Sequence, residues 1–362
     1  MKGMEWTSNC ILSTRKSKKE TGQHKLAEPV IRAINVKKYF PVKRGIGDFF
    51  LRTERKYVHA VDDVSFEVNK GEVFALVGES GSGKTTMGKI CLGIYPITSG
   101  KILFDGAEIA QLKGEEFRQF RRSAQMVYQD PGASLNPRVR IGEAIREPLK
   151  FHDIGTRETQ REKVLAVLER VGLSPAANFY SRYPHELSGG QKQRVVIARS
   201  IILHPEFLVA DEPVAMVDVS VRAQIIELLL SLRSEFNLTY ILITHDLAIA
   251  KYFSDKIAIM YLGEIVELGT RDSIFKNAQH PYTQALISSV PIPDPKVKEN
   301  RFIVKGEVPS PINPPSGCRF HTRCPYALES CSQNLQHLKE VENGHFISCE
   351  VKPFADHQIA VS

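Results

Sequence analysis

An apolar run, Val73-Phe74-Ala75-Leu76-Val77, passes directly into Gly78-Glu79-Ser80-Gly81-Ser82-Gly83-Lys84-Thr85 and then into helix-compatible residues as far as Leu92. Buried strand, glycine-rich loop, helix: that order is the setting in which G-x-x-x-x-G-K-[ST] cradles the phosphates of a nucleoside triphosphate. The glycines Gly78, Gly81 and Gly83 permit unusual backbone angles, so the N–H groups of Ser80, Ser82 and Lys84 can point inward while the helix presents its positive end. Lys84 is placed to reach the β and γ phosphates and Thr85 to ligate magnesium, with Thr86 beside it in the nucleotide-binding set.

The rest of the chain supplies the sheet this loop needs. Phe207–Ala210, Tyr240–Thr244 and Ile257–Tyr261 read as further buried strands, alternating with helical stretches such as Val219–Phe236. This predicts an α/β domain with a mainly parallel sheet, preceded by strands over Val30–Val36 and Val61–Val68. Between Asp130 and Ser188 the strand pattern stops, and Ile141–Leu149 and Arg157–Val171 read as amphipathic helices of an inserted subdomain, placed at about residues 130–193. Residues 1–29 read as a flexible leader or a partner-binding arm, 30–290 as the nucleotide domain, and 291–362 as a small C-terminal module entered through Pro291, Pro293 and Pro295.

Of 362 residues, 42% are apolar and 25% charged, a globular balance. The net charge of +7 is spread over the leader and the Lys37–Lys56 stretch rather than forming one helical stripe, so a solvated face explains it better than a nucleic-acid footprint. No apolar run approaches the roughly 20 residues of a spanning helix, and no secretory signal is visible, so the chain is expected in the cytoplasm.

Other residues fall where phosphate chemistry could use them. Phe207-Leu-Val-Ala-Asp211-Glu212 puts a carboxylate at the end of a buried strand, suited to organising magnesium, and a second one residue on, suited to polarising an attacking water. Gln129 follows a strand over Gln125–Tyr128 and its amide could reach the metal or that water; His245 follows Thr244 and could touch the γ phosphate. Leu187-Ser188-Gly189-Gly190-Gln191 precedes a predicted helix over Lys192–Leu203, so Ser188 can cap it and the exposed N–H groups can hold a second anion. Two phosphate sites on one chain make sense if the second closes on a neighbour's nucleotide.

Taken together these elements resemble the ATP-binding subunit of an ABC transporter. Gly78–Thr85 is similar to Walker A, Gln129 to the Q-loop, Leu187–Gln191 to the signature and Phe207–Asp211 to Walker B. Glu212 matches the catalytic glutamate, Asp218 the D-loop aspartate and His245 the switch histidine. The D-loop departs from the family's Ser-Ala-Leu-Asp, reading Ala215-Met-Val-Asp218. The resemblance implies the P-loop NTPase fold, ATP with Mg2+, and an adenine-stacking aromatic at Tyr39, with Tyr57 as its rival. Gln129-Asp-Pro-Gly-Ala-Ser-Leu-Asn-Pro137, Tyr183-Pro-His-Glu-Leu187, His280-Pro-Tyr-Thr-Gln-Ala-Leu286 and Gly306-Glu-Val-Pro-Ser-Pro311 narrow it to the dipeptide and oligopeptide import branch, similar to the second ATPase of the pair. That implies a related ATPase subunit, two membrane permeases and an extracytoplasmic binding protein as partners, at the cytoplasmic face of the membrane, with no nucleic acid expected. The alternative is a soluble ABC ATPase acting on nucleic acid or ribosomes; a redox-sensing regulatory subunit is a third reading.

Four of the six cysteines, Cys318, Cys324, Cys331 and Cys349, lie in the C-terminal module with five, six and seventeen residues between them. This spacing is wide for a zinc ribbon, yet four thiols in a core-poor module suggest a metal. The family's Cys-Arg-Phe-His-Thr-Arg-Cys-Pro element is associated with a [4Fe-4S] cluster, and Cys318–Pro325 reads that way; zinc, with help from His321, and no metal are the alternatives. Cys10 and Cys91 read as bystanders.

Overall fold

Strands that are buried on both faces are mostly apolar, and among the described residues Val73–Val77, Phe207–Asp211 and Thr239–Thr244 are buried at every position. In chain order the strands are β1 (Ile31–Pro41), β2 (Tyr57–Val68), β3 (Val73–Val77), β4 (Ser99–Phe104), β5 (Ala107–Glu108), β6 (Ala124–Val127), β7 (Phe207–Asp211), β8 (Thr239–Thr244), β9 (Lys256–Tyr261), β10 (Glu264–Thr270), β11 (Lys339–Glu342) and β12 (His345–Ile347). The computed structural model describes residues 29–42, 55–290, 304 and 306–351. The leader before Pro29 with Cys10, the middle of the basic excursion and Pro291, Pro293 and Pro295 lie outside the described residues.

The main sheet runs β11-β12-β10-β9-β3-β8-β7-β6. Its β9-β3-β8-β7-β6 part is parallel, in register from Val73↔Tyr240 to Val77↔Thr244 between β3 and β8. Because neighbouring parallel strands end together, the residues just past β3, β6, β7 and β8 are gathered at one edge, where open α/β sheets bind their ligands. Those residues are the glycine-rich loop, Gln129, Asp211–Glu212 and His245.

A second sheet, β2-β1-β4-β5, is antiparallel and packs its apolar face on the other side of the strands, through Val61, Val64, Phe66 and Phe104 with Phe74 and Phe207. Residues 131–201 form helices Pro131–Ser134, Ile141–Phe151, Arg157–Arg170, Ala176–Tyr180 and Gly189–Ile201. No strand interrupts them among the described residues. The C-terminal residues join the main sheet, since β12 pairs antiparallel with β10. A buried carboxylate fastens that junction: Glu267 accepts from Gln279 N at 2.8 Å, His280 N at 3.0 Å and His345 Nε2 at 2.8 Å.

Candidate active site

The glycine-rich loop closes on itself around its lysine. Lys84 Nζ donates to the carbonyls of Gly78 and Glu79 at 2.8 and 2.7 Å, and to Ser82 Oγ at 3.2 Å. Burial pushes its ammonium down to about 8, although the charges of Glu212, Asp211 and Glu79 pull the other way. Such a desolvated cation gains most from a phosphate group. Glycine is required at Gly83, where φ is 103° and a Cβ would stand 2.1 Å from the Ala60 carbonyl oxygen. Ser80 and Gly81 are exposed at the loop's crest, and Thr85 and Thr86 are half-buried at the start of the Lys84–Cys91 helix.

Thr85 Oγ1 donates to Asp211 Oδ1 at 3.0 Å, joining the helix start to the end of β7. Burial raises the Asp211 carboxyl above its ordinary range, opposed by the Thr85 hydrogen bond. A hydroxyl and a carboxylate with no nitrogen or sulfur donor between them are the hard oxygen set that magnesium takes, so these residues fit the ion.

Beyond Asp211 the backbone turns sharply: Glu212 has φ 43°, and its N–H donates to the Ile243 carbonyl at 2.8 Å. This turns its carboxylate out of the sheet towards two partners. Gln129 Nε2 donates to Oε2 at 2.9 Å, and His245 Nδ1 lies 3.0 Å from Oε1. Gln129, Glu212 and His245, which follow three different strands, therefore meet around one carboxylate.

Ser188 caps the Gly189–Ile201 helix reciprocally with Gln191: Ser188 N donates to Gln191 Oε1 at 3.1 Å and Gln191 N to Ser188 Oγ at 3.3 Å. The helix thus starts three residues before the predicted Lys192. Ser188 and Gly189 are exposed. Gly190 packs so closely on Val221 that a Cβ would stand 2.7 Å from its Cγ1, and Gly189 faces the Met216 carbonyl. The segment around Asp218 therefore lies beside Ser188–Gln191. Here Asp218, Met216 and Val219 are all exposed, the last two at 57% and 78%.

Residues 61–215 match the ABC transporter family, and residues 266–331 match the oligopeptide/dipeptide transporter C-terminal region. The oligopeptide transport ATP-binding protein AppF of Bacillus subtilis (strain 168) is 47% identical over 329 residues, covering 90% of this chain and 98% of that protein. This chain belongs to the ATP-binding subunit family of oligopeptide and dipeptide ABC transporters. The dipeptide transport ATP-binding protein DppF of Haemophilus influenzae is 44% identical, covering 91% of this chain and 98% of its own length. The dimeric structure of MJ0796, a bacterial ABC transporter cassette, superposes with a TM-score of 0.58 at 30% identity, covering 67% of this chain and 98% of that one. As an ABC ATPase the chain binds and hydrolyses ATP, and its fold is the P-loop NTPase α/β fold.

Two further regions of this ABC ATPase hold residues named from the sequence. The Tyr39 hydroxyl is already committed to Asp62 Oδ1 at 2.5 Å, and its ring lies 4.2 Å from that of His59. Tyr57 is 38% exposed on the paired strand, and Phe40, an aromatic not weighed from sequence, stands edge-on to Tyr95. In the C-terminal region Cys318, Cys324, Cys331 and Cys349 share a neighbourhood: Cys318 feels the charge of Cys349 and Cys331, Cys324 that of Cys318 and Cys331, and Cys349 that of Cys324 and Cys331. Burial pushes Cys318, Cys324 and Cys349 up to about 11. Yet among the described residues no group of three or more His, Cys, Asp or Glu is arranged to hold a metal ion, so neither the [4Fe-4S] cluster nor zinc finds support in this arrangement. His321 Nδ1 pairs with the Cys318 carbonyl at 2.8 Å instead of turning to the thiols.

Sequence reasoning missed two arginines. Arg319 and Arg323 run from the cysteine-containing loop into the nucleotide domain, where their partners are Asp62, Glu264 and Glu79. Only the unusual density of charge between Cys318 and Cys324 could have pointed to them. No helix among the described residues is long and apolar enough to cross a membrane.

Proposed function

We propose that this ABC ATPase drives import of dipeptides or oligopeptides, working at the cytoplasmic face of a membrane as the second of two related ATPases beneath two permeases fed by an extracytoplasmic binding protein. The reading rests on one observation above the others: likeness to peptide-transport ATPases extends past the ATPase domain through the C-terminal region, over nine-tenths of the chain. The exposed pairing of Ser188–Gln191 with the Met216–Val219 segment supports a partner ATPase there, since apolar side chains at such exposure suit a surface that becomes covered.

In this reading Gly78, Ser80, Gly81, Ser82, Gly83, Lys84, Thr85 and Thr86 bind the phosphates of this chain's ATP, and Tyr39 stacks on adenine. Magnesium, when bound, neutralises charge on the β and γ phosphates, with Thr85, Asp211 and Gln129 to hold it. Glu212 accepts a proton from the attacking water, while Gln129 and His245 orient its carboxylate. Ser188, Gly189, Gly190, Gln191 and Asp218 serve the partner's ATP. Two subunits close over two nucleotides and reopen after hydrolysis, and the affinity gained on closure moves the permeases.

Residues 30–290 act as the motor with the 130–193 subdomain as its moving arm, and 291–362 as an accessory region. The iron–sulfur cluster there rests on the Cys318–Pro325 element of the sequence alone; anaerobic purification with visible absorption and iron analysis tests it, and colourless, iron-free protein overturns it. For transport, the assembly of this chain with its partner ATPase and permeases is reconstituted in proteoliposomes with the binding protein. ATP-dependent uptake of labelled peptides, abolished by Lys84→Ala, is expected; ATP turnover that no peptide-loaded binding protein stimulates overturns peptide import.

A further inference from the structure

The loop from Cys318 to Cys324 carries two arginines that reach the glycine-rich loop by different routes. Both are nearly buried, their side chains 7% and 10% exposed. Arg323 takes the direct route: Nη1 donates to Glu79 Oε2 at 2.9 Å and Nη2 to Oε1 at 3.2 Å, a two-pronged grip. Its guanidinium also lies over the rings of Tyr261 and Phe320, at 5.7 and 5.9 Å, so its direction is set by packing. Glu79 is the second residue of the phosphate loop. Its carbonyl accepts from Lys84 Nζ, and its N–H donates to the Tyr282 hydroxyl at 2.9 Å.

Arg319 takes the second route. It donates through Nη1 to the Leu262 carbonyl and through Nη2 to Asp62, and Nε lies 2.8 Å from Glu264 Oε1. Leu262 and Gly263 form the two-residue turn between β9 and β10, with φ of 45° and 87°, both in the left-handed region such tight hairpins require. From that turn Gly263 N donates to the Ser82 carbonyl at 2.9 Å. Arg319 thus fixes the turn that fixes the middle of the phosphate loop.

We propose that Arg319 and Arg323 are positioning residues for ATP binding, holding the phosphate loop through the Leu262–Gly263 turn and through Glu79. The C-terminal region thereby sets nucleotide affinity by gripping the phosphate loop from behind rather than through a contact with the nucleotide. This rests on the reading that the Gly78–Thr85 loop binds the phosphates of ATP.

The test is ATP titration of the full-length chain, with steady-state KM and kcat for the same variants. Arg323→Ala and Glu79→Ala each raise the ATP Kd about tenfold, the scale of a lost charged hydrogen bond. The double variant is no worse than either alone, since one interaction is removed once. KM rises more than kcat falls, and Arg323→Lys recovers part of the loss. Glu79→Gln, which keeps the shape of a partner about one-third exposed, and Arg319→Lys serve if an alanine variant does not fold. A Kd within about twofold of wild type in folded variants, or effects that multiply in the double variant, overturns the positioning role. A normal Kd in Lys84→Ala instead overturns the phosphate-loop reading itself.

Discussion

Gln129 Nε2 donates to Glu212 Oε2 at 2.9 Å across 83 positions of sequence, and the opposite oxygen of the same carboxylate faces His245 Nδ1. Glu212 is thereby aimed from both sides. Its side chain is 17% exposed, dry enough to be held and wet enough to meet a water molecule. Glu212→Gln keeps the shape and removes the proton acceptor. Nucleotide affinity is expected within a few-fold of wild type while phosphate release falls about 10²- to 10⁴-fold; turnover near normal in a rapid-quench assay would remove Glu212 from the base role.

Replacing Ser188 by Arg places bulk and charge at an exposed helix cap outside this chain's own phosphate loop. The isolated chain is expected to titrate ATP normally, whereas the assembled transporter loses most of its ATPase activity. Loss of binding by the isolated chain would place the Ser188–Gln191 segment on the chain's own nucleotide.

Base stacking contributes about 1 to 3 kcal/mol per contact in nucleic-acid binders, so Tyr39→Ala should weaken ATP about tenfold or more if its ring carries adenine. Tyr39→Phe separates that from the hydroxyl's bond to Asp62. Parallel titrations of Tyr57→Ala and Phe40→Ala assign the role to whichever ring the loss follows.

His280 caps the Pro281–Ser288 helix by accepting from Tyr282 N through Nδ1 at 3.0 Å, and it is 1% exposed. Burial drives it from 6.5 down to about 4, against the pull of Glu267. The unfolded chain therefore binds a proton that the folded one refuses, so stability present above pH 6.5 is lost as pH falls towards 4. The loss approaches roughly 3 kcal/mol. His280→Asn keeps a capping oxygen. Denaturant melts between pH 7 and 4 should show a shallower decline for this variant, and equal slopes would assign the acid loss elsewhere.

The phosphate loop, Asp211, Glu212 and the Ser188 cap were legible in sequence because each is local: a few adjacent residues determine the turn, the strand end or the cap. The parallel strands were nearly as legible, being short runs dominated by apolar residues. The antiparallel pairing of β10, β12 and β11 was not, since strands such as Lys339–Glu342 are exposed and charged and gain their place only by pairing. Nor were the partners of Arg319 and Arg323, because a surface-looking arginine becomes a buried one only through contacts made some 250 residues away. The four cysteines show the opposite case: their spacing suggested a ligand set, and the fold brings them near one another without arranging one.

The pairing of β12 onto β10 also guards against self-association. With residues beyond Val290 cut away, β10 would become the rim of an eight-stranded sheet reduced to six, its unpaired N–H and C=O groups open to another chain. Glu267 would meanwhile keep its desolvation while losing the imidazole of His345. A shortened chain that still carried every nucleotide-binding residue would therefore be expected to stick to its own kind, and the C-terminal hairpin serves this protein as a sealed hem.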